Sequence, residues 1–129
     1  MENSSPTSLD PPKYIGPGAA IEQLAKQDPV GATLPDIPAI SMAFPRQLAF
    51  SYAGPVSHVQ RFISKQPPER IAEDIPLRIA IARRFQEAAF GQVEDKVRLA
   101  LKLCEKEGVD VTSLVVSGGV ASNIYLRER

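Results

Sequence analysis

Apolar positions recur at helical spacing over much of this chain, most clearly in its second half. From about Pro76 to Glu107, Ile81, Phe85, Ala89, Val93, Val97 and Leu101 recur every four residues, with Ala88, Ala100 and Cys104 beside them. Arg84, Glu87, Glu94, Arg98, Lys102 and Glu105 fall on the other face. The pattern predicts a long amphipathic helix packed through its apolar stripe. Glu73 or Asp74 supplies an acidic start, and Pro76 sits in the first turn, where a missing N–H does no harm. Gly108 is a natural stop. Gly54-Pro55 opens an earlier helix that carries Val56, Val59, Phe62 and Ile63 at the same spacing and is closed off by Pro67-Pro68. A short helix is predicted after the turn-forming cluster Tyr14 to Gly18, with Ile21, Leu24 and Ala25 on one face. It ends before Asp28-Pro29, because the residue before proline is pushed out of helical geometry.

Two runs read as strands. Gln47 to Tyr52 forms a short one, and the β-branched run Ser113-Leu114-Val115-Val116-Ser117 forms a buried one. A helix begins again at Ala121, with Ser122 or Asn123 near its start. The sequence ends at Arg129 inside it, and so short a helix is marginal without packing partners. Residues 28–46 hold Pro29, Pro35, Pro38 and Pro45 and are predicted to be a surface loop. Residues 1–13, rich in Ser and Pro, are expected to be disordered or extended. No internal repeat is present.

At 129 residues the chain has room for one modest domain, not for a two-lobed enzyme. The formal net charge of zero gives no long-range field to recruit nucleic acid. The single cysteine, Cys104, excludes an internal disulfide and a multi-cysteine zinc site, and reads as a buried thiol on the long helix. No apolar run approaches the ~20 residues of a membrane span. The N-terminus, Met-Glu-Asn-Ser-Ser-Pro, is neither a signal peptide nor an Arg-rich transit peptide, so the chain is expected to be soluble.

Chemistry concentrates in Leu114 to Asn123, where a strand delivers Gly118 and Gly119 to its edge and a helix leaves. Ligands favour that edge in α/β sheets. Glycines let backbone approach a ligand, and a helix N-terminus offers N–H groups to a phosphate. Asn123 adds an amide that donates and accepts. From the two glycines alone, a plain strand-to-helix turn is the commoner reading.

The longer string Ser117-Gly118-Gly119-Val120-Ala121-Ser122-Asn123, followed by Leu126-Arg127, resembles the signature of the TsaD (Gcp-like) family of transfer-RNA threonylcarbamoyl transferases. Phe50-Ser51-Tyr52-Ala53-Gly54 is similar to that family's Phe-Ser-Phe-Ser/Thr-Gly element. Phe85-Gln86-Glu87-Ala88 is similar to its Phe-Gln-Glu-Ala helix. Gly18-Ala19-Ala20-Ile21-Glu22-Gln23-Leu24-Ala25 is similar to its Gly-Gly-Pro-x-Ile-Glu-x-Leu-Ala turn. The Val-Ala-Ser-Asn form looks like the mitochondrial branch. The resemblance runs from about Tyr14 to Arg129, so 14–129 is expected to be part of a Gcp-like domain, with the proline-rich loop inside it.

That resemblance implies an α/β fold: a mostly helical fragment of the two-lobed actin and sugar-kinase architecture. It implies transfer of threonylcarbamoyl from its adenylate to the adenosine 3′ of the anticodon, with tRNA and threonylcarbamoyl-adenylate as partners, a homodimer as a further option, no membrane, and a mitochondrial location. Gly118, Gly119 and Asn123 match positions that hold the adenylate. Gly18 and Glu22 match contacts to the ribose, with a plain solvated helix residue the equal alternative for Glu22. No catalytic side chain is assigned. The full-length family uses one divalent metal ion, held by two histidines upstream and an aspartate of an Asp-Asn motif downstream. Neither motif is here, and His58, the only histidine, is expected to be a half-exposed helix residue. The chain alone is therefore expected to hold no metal and to be inactive. Gly16-Pro17-Gly18 also departs from the family's Pro-Gly-Gly-Pro. The alternatives are an inactive truncated piece of that enzyme and another nucleotide-binding member of the actin-like superfamily.

Overall fold

One 32-residue helix organises the described residues, 15–29 and 31–129 of a computed structural model. The elements are α1 (Pro17–Lys26), α2 (Ala53–Ser64), α3 (Pro68–Glu73), α4 (Ile75–Lys106), a 3-10 turn (Gly119–Ser122) and α5 (Ile124–Glu128). The first three pack against α4. The expectation for residues 1–13 lies outside the described residues.

The ends of α4 follow the sequence signals. The Asp74 carboxylate accepts from the Leu77 N–H at 3.0 Å, satisfying one of the free donors of the first turn. At the other end Gly108 takes φ +72°, and Val109 N–H reaches back to Cys104 O at 2.9 Å while Gly108 N–H bonds Glu105 O at 3.1 Å. These two bonds are the Schellman pattern, which requires a left-handed residue just past the helix. The six-residue α3 was not expected. Pro67-Pro68 does end α2, yet Pro68 then starts a new turn, and one turn is too short for periodicity to reveal.

The core lies at the start of α4. Leu77, Ala80 and Ile81 cluster with Ile37 of the connecting loop, and Val59, Phe62, Ile63 and Ile71 pack around them. Ile37 is 4% exposed, so the proline-rich segment 28–46 is not wholly a surface loop. Arg83 of α4 donates from Nε to Ala25 O and from Nη2 to Gln27 O, both at 2.8 Å. A guanidinium there satisfies end carbonyls of α1 and complements its dipole.

Neither predicted strand forms, and no strand occurs among the described residues. Ser113 to Ser117 is extended and exposed throughout, with Val115 at 85%. A strand exists through its ladder, and no neighbouring strand among these residues supplies one. In the other run, a side chain takes the partner's role. Gln92 Oε1 accepts from Ser51 N at 2.7 Å, and Gln92 Nε2 donates to Ser51 O at 2.9 Å. Lys96 donates to the carbonyls of Phe44 and Gln47.

These contacts also correct the predicted face of α4. Gln86, Gln92 and Lys96 are buried there, whereas Phe85, Ala89, Val93 and Val97 are half-buried and Leu101 is exposed. Buried backbone needs partners, and polar side chains reach it where aliphatic ones would not. Cys104 is half-buried rather than buried.

Candidate functional site

Three segments meet over the middle of α4. The first turns of α1 bring Gly18 and Glu22. The turn before α5 brings Gly119 and Asn123. Together with Phe85, Gln86, Ala89 and Phe90 of α4 they enclose a cavity of about 220 Å³. Four of the five residues singled out in the sequence therefore line one space. Gly118 does not line it, and sits one residue outside with φ +98° and ψ 176°. That backbone region is essentially restricted to glycine, so Gly118 shapes the turn. A Cβ added at Gly18 or Gly119 would meet no atom within 4 Å. The space beside these glycines is open and is not filled by protein.

The last helix is fastened to α4 beside this cavity. Tyr125 packs on Phe90 with ring centroids 5.8 Å apart, and Arg129 lies over the Tyr125 ring at 5.6 Å. Arg129 Nε donates to Glu94 at 2.8 Å, and Arg129 Nη1 donates to the Tyr125 hydroxyl at 2.8 Å. The Arg129 bond holds the Glu94 carboxyl below the usual carboxylate range, with Arg98 adding to it.

Glu22 joins the two walls. Its Oε1 accepts from the Ile124 N–H at 3.0 Å, across 102 residues of sequence, and pairs with Lys26 at 3.0 Å. The Ile124 bond, and then Lys26, lower the carboxyl's pKa below its ordinary value. Asn123 Oδ1 accepts from Leu126 N at 3.2 Å, capping α5. Two N–H groups at the α5 start are thus taken by protein acceptors, unlike the free helix N-terminus pictured from the sequence. The side-chain amide of Asn123 keeps its Nδ2 donor for another partner.

The cavity is largely apolar, with Ile21, Phe85, Ala89, Phe90 and Val120 around a few polar groups. Small-molecule sites share this character. From the sequence, Phe85 belonged to the apolar stripe and, with Gln86, to a helix motif, and neither they nor Phe90 were placed at the site. Their signal was two aromatics and an amide on one stretch of the long helix.

The donors present do not fit a metal ion. Among the described residues no three His, Cys, Asp or Glu side chains gather to hold one. His58 is half-buried on α2 and does not line the cavity. Among the same residues no helix is long and apolar enough to cross a membrane.

Comparisons with known proteins agree with one another. The profile of the family described as TsaD, tRNA N6-adenosine threonylcarbamoyltransferase, matches residues 5–129. The mitochondrial tRNA N6-adenosine threonylcarbamoyltransferase of Xenopus tropicalis is 33% identical over 95 residues, 69% of this chain and 24% of the relative. The tRNA N6-adenosine threonylcarbamoyltransferase of Novosphingobium aromaticivorans is 36% identical over 113 residues, 85% of this chain and 27% of the relative. That of Borrelia garinii is 36% identical over 84 residues, 62% of this chain and 21% of the relative. The chain thus spans about a quarter of the length of these curated relatives. No solved structure matches it. With all but its first four residues matched, the chain belongs to the TsaD family of tRNA N6-adenosine threonylcarbamoyltransferases.

Proposed function

We propose that this chain carries the adenylate subsite of a mitochondrial tRNA N6-adenosine threonylcarbamoyltransferase, within the two-lobed actin-like fold of its family. The observation that supports this reading is the convergence of Gly18, Glu22, Gly119 and Asn123 on one cavity. In the proposed reaction the exocyclic amine of the adenosine 3′ of the anticodon attacks the carbamoyl carbon of threonylcarbamoyl-adenylate. The bond from that carbon to the phosphate oxygen breaks, AMP leaves, and the amine loses one proton. This chain's residues bind and orient the donor. The open face at Gly18 and Gly119 admits it closely, and the aromatic floor covers its base. Asn123 offers a donor through Nδ2, and Glu22 holds the walls together while facing the ribose. Positioning of this kind is a large part of what an enzyme supplies to a bimolecular transfer. The family's divalent metal would polarise the donor, but the residues described here do not fit one. Besides tRNA and the adenylate, a second copy of the chain is the further partner in this reading.

The test is titration of the chain with AMP. Asn123→Ser keeps an oxygen for capping but is too short to bring an amide to the ligand. It should weaken AMP binding about 2–10-fold, the equivalent of losing one hydrogen bond, with the melting temperature unchanged. Unaltered affinity, or no AMP binding by the parent chain, would return the turn to a structural role. A second reading is an adenylate binder that does not itself transfer; among the described residues no metal-donor set gathers. Modification of unmodified tRNA by the chain alone would exclude it.

A further inference from the structure

Gln86 lies in the floor of the cavity, between Phe85 and the turn of α4 that carries Ala89 and Phe90. It is 5% exposed, and its Oε1 is the one fully buried side-chain N or O atom without a hydrogen-bond partner among the described residues. The other two buried polar residues of α4 behave differently. Gln92 is bonded through both ends of its amide, and Lys96 donates to two carbonyls. An unpaired buried acceptor is costly, and folded proteins retain few of them. The Gln86 oxygen is closed off from water, so solvent does not satisfy it.

We infer that Gln86 is the base-discriminating residue of this cavity, its orphan Oε1 accepting from the exocyclic amine of an aminopurine. The inference rests on the adenylate reading and adds to it the choice of base. The surrounding walls of Ile21, Phe85, Phe90 and Val120 suit a flat heterocycle but cannot tell one purine from another. Only a polar group inside the apolar space can do so. A carbonyl oxygen accepts from the 6-amino group of adenine and faces an acceptor, not a donor, in the 6-oxo group of hypoxanthine. The last side-chain torsion of glutamine is broad and soft, so the oxygen can turn toward a ligand edge at small cost. Gln86 also borders a second cavity with Lys26, Arg83, Glu87 and Glu128 on its rim. Four of its eight lining residues are charged, and it holds one aromatic ring, Tyr125, where the first cavity has Phe85 and Phe90.

The experiment is a calorimetric titration of the full chain with AMP and with IMP, repeated for Gln86→Leu, with a melting curve of each protein free of ligand. The parent should bind AMP about tenfold more tightly than IMP, the worth of a hydrogen bond made with one base and lost with the other. In Gln86→Leu the ratio should fall to near one, and the ligand-free melting temperature should rise, because an unpaired acceptor has been removed. Equal binding of AMP and IMP by the parent overturns this inference and leaves the adenylate reading standing. A preference for AMP that survives in Gln86→Leu does the same. Binding of neither nucleotide by the parent overturns the adenylate reading and this inference with it. A melting temperature that falls in Gln86→Leu shows that the oxygen already has a protein partner, and the inference fails on that result alone.

Discussion

Gln92→Leu should cost about 2 kcal/mol of stability. Gln92 is 2% exposed and holds the Ser51 peptide at both ends, accepting from its N–H at 2.7 Å and donating to its carbonyl at 2.9 Å. Leucine has a similar volume, so the change opens no large cavity. It removes two hydrogen bonds, each worth roughly 0.5–1.5 kcal/mol net, and leaves a peptide N–H and C=O without a protein partner. Ser51 is half-buried, so water relieves part of that second cost. For a domain of this size such a loss lowers the melting temperature by about 10 °C. Lys96→Met perturbs the neighbouring carbonyls of the same segment, so the double variant should depart from additivity by more than ~0.5 kcal/mol. The assay is thermal and urea denaturation followed by far-ultraviolet circular dichroism, on the parent, both single variants and the double. A Gln92→Leu midpoint equal to the parent's would show that residues 44–51 are not held to α4 by these side chains.

Other perturbations test the core, the turn and the site. Leu77 is 1% exposed in the core cluster, and Leu77→Ala should cost about 3–5 kcal/mol in urea denaturation. Phe85 is half-buried and lines the cavity, so Phe85→Ala should cost less than the ~3–5 kcal/mol of a fully buried phenylalanine while weakening AMP binding. Gly118→Ala forces a side chain onto φ +98°, which should cost about 1–3 kcal/mol and lower AMP affinity by displacing Gly119, both readable in one ligand-shifted melting series. Glu22 and Glu94 both have lowered carboxyl pKa values, through Ile124 and Arg129 respectively. A lowered folded-state pKa contributes stability above the ordinary glutamate value and loses it as pH falls through the folded value. The Ile124 amide resonance should therefore shift, and α5 loosen, on acidification below about pH 4.3. A resonance unmoved through the whole acid titration, until the protein unfolds, would contradict that assignment.

What could be read from the residues alone was whatever the chain decides locally. The α4 start at Asp74, its Gly108 stop and the end of α1 before Asp28-Pro29 each depend on residues within one turn of the signal. The failures are equally physical. Ser113 to Ser117 carries a strand's composition, but a strand is a relation between two segments. The apolar stripe of α4 predicted the buried face well at Ile81 and poorly beyond it. Gln92 and Lys96 face inward to meet backbone 41 to 52 residues away, a pairing that no window along the helix contains.

The site divides along the same line. Gly118 and Asn123 could be named because a strand-like run, two glycines and a capping amide form a local unit. The meeting of Asn123 with Gly18 and Glu22 could not be named from spacing, because one hydrogen bond, Glu22 to Ile124, closes a loop of 102 residues. That bond also changes what the residues do. From the sequence, Glu22 was a ribose contact or a solvated helix residue; its side chain is 18% exposed and pairs with Lys26 and the Ile124 N–H. It occupies an N–H at the start of α5, as Asn123 occupies another, so two of the donors expected of a free helix end are already paired inside the protein. What remains for a ligand is the glycine face, the Asn123 Nδ2, the aromatic floor and, once its amide turns, the unpaired Gln86 oxygen. Three of these four bear on a base and its sugar more than on a phosphate. If base recognition is the main business of this cavity, nucleotides differing only in phosphate count should bind with similar affinity, and nucleosides differing at the 6-position should not. Adenosine, AMP and ADP affinities within a few-fold of one another would fit that view, and a steep rise with each phosphate would place the recognition at the helix end instead.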